Sequence, residues 1–192
     1  LYNDPQAFYR CLAASESPYA AHGLQFLGIH ALEQDDPRAA YGLLEKAQSL
    51  HPMATTENLL GLSALRLGRY ETAREHFQSA YDAGNDEGYR LNLGVAQMRL
   101  GDYDQAVSTF LAVQQKVPRY GRVYENLLTA YEESGAPRTG LDWGERGLDC
   151  LREQENESLR LLVKMAGVAY RCRAWDEMRR YMEAVLKRNP DA

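Results

Sequence analysis

No apolar run in the 192 residues approaches the roughly 20 that a membrane-spanning helix needs, so no transmembrane helix is expected. Cysteine is scarce. Cys11, Cys150 and Cys172 are odd in number, widely spaced and without a CxxC pair, which points to neither a disulfide framework nor a zinc site. Histidine is equally sparse, and His22, His30, His51 and His76 fall in no HExxH or His/Cys cluster. The sequence also lacks GxSxG, GxGxxG and the glycine loop with Lys that cradles phosphate. Carboxylates do pair. Asp35/Asp36 and Asp102/Asp104 stand at expected helix starts, where negative charge is favourable, and Glu132/Glu133 close a helix as solvated groups. The chain therefore reads as non-enzymatic, with no metal and no cofactor. An excess of positive charge is missing too, and a net charge of −5 argues against a nucleic-acid binder. No Pro/Ser-rich linker or low-complexity tract divides the chain.

What is present describes a globular protein: 45% hydrophobic and 26% charged residues, enough for one domain or two small ones with a substantial core. Charge is unevenly spread. Residues 160–192 carry eight Lys/Arg against four Asp/Glu, so the preceding residues hold the whole negative balance. The chain opens on Leu1 without Met or a basic-then-apolar leader, which reads as an excised or mature segment.

The strongest signal is internal repetition. In LGVAQMRLGDYDQAVSTFLAV, Leu93 to Val113, two apolar runs at helical spacing flank a Gly-Asp corner, predicting a helix, a tight turn and a second antiparallel helix. Moving back 33 residues returns Leu60, Gly61, Leu67, Gly68, Tyr70, Ala73, Phe77 and Ala80 in the same places. First-helix glycines Gly28, Gly61 and Gly94 and second-helix alanines Ala40, Ala73 and Ala106 form two ladders in one register, so paired helices approach closely. Prolines Pro52, Pro118 and Pro190 close repeats, and Asp36-Pro37 starts a second helix with a capping carboxylate and an N1 proline. Repeats are expected to start near residues 21, 54, 87, 121 and 159. An opening helix is expected over 4–16, with Asp4 as cap and Pro5 at its first position. The fourth repeat places Gly140, Gly144 and Gly147 where the others have Ala, aromatic and Ala, a close helix contact or else a slot. The interval to the fifth repeat is one helical turn longer, predicting longer helices around 151–158. In that repeat Met178 and Met182 replace Ala and Phe, which loosens the seam. Cys150 and Cys172 then fall at opposite edges of the helical layer, and no bridge between them is expected. Neither end carries an obvious polar cap, which a solenoid needs.

The period and the small-aromatic-small run make the chain resemble the tetratricopeptide repeat family. The resemblance implies an all-α fold: a right-handed α-α superhelix of about eleven antiparallel helices over residues 1–192 as a single solenoid. It also implies a non-catalytic module that binds a peptide or helical segment of a protein partner in a concave groove lined by first helices. Equivalent first-helix positions then name the groove. Asn92, Arg122, Asn126, Arg160 and Lys164 form a polar, basic part, while Phe26, Ile29, Leu59 and Leu62 form an apolar part suited to an amphipathic helix. Asn126, Arg160 and Lys164 match the family's carboxylate clamp for acidic C-terminal peptides, whereas Leu91 and Val95 stand where a Lys and an Asn belong. The other reading is a scaffold segment of a larger bacterial secretion or envelope assembly, working through its edges, convex face or uncapped ends, where oligomer contacts also have room. The cysteine usage favours a reducing compartment, the cytoplasm, and leaves the periplasm open.

Overall fold

In the computed structural model, residues 5–15 and 18–188 are described, and among them are eleven helices. They are α1 (Pro5–Ala13), α2 (Ala20–Glu33), α3 (Pro37–Leu50), α4 (Ala54–Arg66), α5 (Tyr70–Gly84), α6 (Glu87–Arg99), α7 (Tyr103–Lys116), α8 (Gly121–Glu133), α9 (Pro137–Cys150), α10 (Glu155–Arg171) and α11 (Trp175–Arg188). The expected capping by Asp4 and the terminator Pro190 lie outside the described residues. The chain forms two compact units, residues 1–100 and 101–192, each described by itself. The long interval before the fifth repeat is spent on one helix only. α10 begins at Glu155 and runs 17 residues, while α9 keeps the ordinary 14, because Leu151–Gln154 leave the helix after Cys150.

Four inter-helix turns are one motif repeated. After α4, the amide of Arg69 donates to the Ala64 carbonyl at 2.9 Å and that of Gly68 to Leu65 at 3.1 Å. This double closure satisfies the last carbonyls of the helix and needs a residue in the left-handed region. Gly68 has φ +74°, and Asp35, Gly135 and Arg173 take the same place after α2, α8 and α10 with φ +58°, +83° and +59°. Asp36 caps α3 by accepting from the Ala39 amide at 2.9 Å, as the sequence predicts. Asp86 does the same for α6 through the Gly88 amide at 2.6 Å.

The core is a chain of repeat junctions. In unit 1, Leu44 of α3 meets Leu60 of α4, and Phe77 of α5 meets Leu93 and Ala96 of α6, all at or near full burial. Gly61 exists for Phe77: a Cβ there would stand 2.6 Å from the ring. In unit 2, the three glycines of α9 prove to be contacts, not a slot. A Cβ on Gly144 would meet the Met165 sulfur at 2.7 Å, and one on Gly147 the Tyr124 ring at 2.6 Å. Bulk absent from α9 is thus supplied by α8 and α10, which restores interior packing. Met182 and Leu186, in contrast, stay exposed on α11.

Candidate functional site

First helices carry the candidate residues, and side chains three and four apart on a helix share a face. On unit 1, Phe26 is half-buried and stacks on Tyr9 of α1 with ring centroids 3.6 Å apart. Leu59 and Leu62 are half-buried against the two junction cores, and Ile29 is 37% exposed. Most of the apolar set is thus engaged in packing between helices, with Ile29 the most open of the four. Asn92 is half-buried and donates to Asn58 of α4 at 2.8 Å, and Gln25 of α2 donates to Thr55 at 2.9 Å. These amide rungs tie successive first helices together. Gln25 and Asn58 are 33 residues apart, the repeat period, which was a signal for that pair; Asn92 stands 34 residues after Asn58, one place out of that register.

On unit 2, α8 and α10 bring Arg122, Asn126, Arg160 and Lys164 onto neighbouring helices together with carboxylates that the repeat pattern did not single out. Arg160 Nε stands 3.5 Å from Glu125 Oε1, and Arg171 forks onto Glu132 with two hydrogen bonds of 2.5 and 2.8 Å. Glu157 accepts from the Gly121 amide at 2.8 Å, fastening the start of α8. Burial pushes the Lys164 ammonium below its ordinary value, while Glu125 and Glu132 pull the other way. Asn126 is half-buried and Arg122 exposed, and neither has a hydrogen bond or ion pair among the described residues. Cations and carboxylates therefore alternate across the α8–α10 seam. A surface of this kind presents donors and acceptors side by side, which suits the amides of an extended chain.

Other polar clusters tie helices together. His76 Nδ1 lies 2.7 Å from Glu57 and its Nε2 3.0 Å from the Tyr41 hydroxyl, joining α5, α4 and α3. No group of three or more His, Cys, Asp or Glu among the described residues is placed to hold a metal ion. No helix among them is long and apolar enough to cross a membrane.

The tetratricopeptide repeat profile matches residues 27–88 and again 64–131, together more than half of the chain. The chain belongs to the tetratricopeptide repeat family. Its all-α repeat fold is shared with a tetratricopeptide repeat protein of Thermus thermophilus, TTC0263, at TM-score 0.70 and 18% identity over 89% of this chain and 92% of that one. YrrB, described as a tetratricopeptide repeat protein with an unusual peptide-binding site, is similar at TM-score 0.67 and 22% identity over 81% and 80%. MamA from Desulfovibrio magneticus RS-1 is similar at TM-score 0.71 and 18% identity over 90% and 97%. No curated protein matches the chain in sequence. Tetratricopeptide repeat proteins bind protein partners and are typically non-catalytic, so the chain is a protein-interaction module of that general kind.

Proposed function

We propose that the chain holds an extended segment of a partner protein against the first-helix face of α8 and α10, with Asn126 at its centre and Arg122, Arg160 and Lys164 around it. Asn92 and the apolar residues Phe26, Ile29, Leu59 and Leu62 mark the corresponding first-helix face of unit 1. The observation that carries this reading is the side-chain amide of Asn126, half-buried and unpartnered among the described residues, beside cations and carboxylates already held in place. A peptide bond offers that amide one donor and one acceptor. The peptide-binding site ascribed to YrrB, a fold relative, is consistent with it.

The charges refine the class of segment. Arg160 already faces Glu125, and Lys164 lies in the field of Glu125 and Glu132, so a terminal carboxylate would compete with two carboxylates in place. A segment of mixed or no charge suits this face better than an acidic tail. In a pull-down from the source cell, Asn126→Ala/Lys164→Ala should lose the partner that the unaltered chain retains, with the helical circular dichroism unchanged. Equal recovery by both proteins would overturn the site. A second reading, scaffold contacts through an edge of the repeat array, is favoured by the exposed Trp175, Met182 and Leu186 of α11.

A further inference from the structure

At three junctions between repeats one second-helix residue packs with the next first helix: Leu44 shares a buried cluster with Leu60, Phe77 shares one with Leu93, and Gly144 lies against Met165. Met182 holds that register in α11, 38 residues after Gly144. Leu44 and Phe77 are wholly buried, yet Met182 is 43% exposed. Trp175 and Leu186 lie seven residues before it and four after, on the same line of the helix, and are 51% and 48% exposed. Tyr181 and Val185 turn inward and are buried. The outer face of α11 is therefore an apolar stripe built in the register of a junction, with no described element over it.

The charges beside this stripe say what covers it. Asp176, Arg179, Glu183 and Lys187 follow one another at spacings of three, four and four, so they run along one flank, and all are exposed. Their signs alternate from negative to positive. Read from the other end, the same flank is its own complement. An antiparallel second copy would set Asp176 against Lys187 and Arg179 against Glu183, twice over, with Met182 near the two-fold axis. A parallel two-fold copy would instead turn this flank toward the opposite side of the partner helix, where Tyr181 and Val185 are buried, and would leave its charges without partners. We propose that the chain pairs with a second copy of itself through α11, antiparallel and two-fold symmetric, with Trp175, Met182 and Leu186 as the dry centre. Self-complementarity of one patch is the requirement that a two-fold interface imposes, and a charge-depleted core with a charged rim is its ordinary anatomy.

The test is sedimentation equilibrium of the whole chain from about 1 to about 500 µM, concentrations that bracket moderate affinities. The unaltered chain should be a reversible dimer, and Met182→Lys should be monomeric with its helical signal intact. Glu183→Arg replaces two attractive pairs by two repulsive ones and should weaken dimerisation about tenfold or more, as should Arg179→Glu. Mixing these two single variants should then give a heterodimer tighter than either homodimer, because each carries the charges the other lacks. A chain that is monomeric throughout overturns the proposal. So does a dimer indifferent to Glu183→Arg, an absence of rescue on mixing, or a monomer that uses this face for a different protein. Asn126→Ala/Lys164→Ala should leave the dimer unchanged, so this outcome and that of the peptide site are separable.

Discussion

Tyr124 shows how much a single residue can carry. It is fully buried, fills the space left by Gly147, and its hydroxyl donates to the Pro118 carbonyl at 2.7 Å. Burial, with a contribution from Cys150, pushes its pKa from the ordinary 10.0 up to about 12. A phenol whose folded pKa is raised gives stability that is complete below pH 10.0 and lost as the pH climbs to about 12. The loss from Tyr124 should be on the order of 2 kcal/mol. Urea denaturation of Tyr124→Phe should show a shallower decline across that window, at a cost of about 1 kcal/mol near neutrality for the missing hydrogen bond. Tyr181, also raised to about 12 and bonded to Glu145 at 2.8 Å, should keep part of the slope. The buried tyrosine was legible only as a residue on a first helix. Its partnership with an α9 glycine was not, since nothing local says which neighbour will supply missing volume.

At the scale of the element, the turns between helices are the most regular feature and also the most uneven in strain. The left-handed position is Gly at Gly68, Gly101 and Gly135, but Arg at Arg173 and Asp at Asp35. A Cβ in that region costs about 1–2 kcal/mol, partly offset by the greater freedom of Gly in the unfolded chain. Arg173→Gly should therefore raise stability by about 0.5–1 kcal/mol, and Gly68→Ala should lower it by about 1 kcal/mol, both by thermal or urea unfolding. Gly68 and Gly101, at the same corner of successive repeats, made the motif readable. The register that sets Met178 and Met182 against Ala106 and Phe110 also puts Arg173 at the place of Gly101. What was not readable is that the turn keeps its left-handed residue there without a Gly, while the extra turn before the fifth repeat is spent elsewhere. α10 absorbed it at its N-terminus, where Glu157 reaches the amide of Gly121. Long-range anchoring of that kind has no signature in the local sequence.

For the whole molecule, the question is what the repeats leave open. Each unit carries a first-helix face of polar rungs, and unit 2 adds the apolar outer stripe of α11. If α11 pairs with its copy, association is linked to folding, and the thermal midpoint should rise with protein concentration. Met182→Lys should remove that dependence while leaving the midpoint at low concentration nearly unchanged. Calorimetry over a hundredfold concentration range checks both.

Spacing along the chain was enough to specify the all-α repeat architecture, the family, and the close-packed positions of the regular repeats, such as Gly61, Ala73 and Phe77. Helical period and close approach leave few residue types for each register, so those features are written in one dimension. What the first-helix faces present emerged only on folding. Arg160 and Lys164 looked like free cations along a groove, yet folding places Glu125 and Glu132 beside them, and it sets Phe26 on Tyr9 and Asn92 on Asn58. Charge and exposure depend on neighbours from other helices, and a one-dimensional pattern carries no record of which neighbours will arrive.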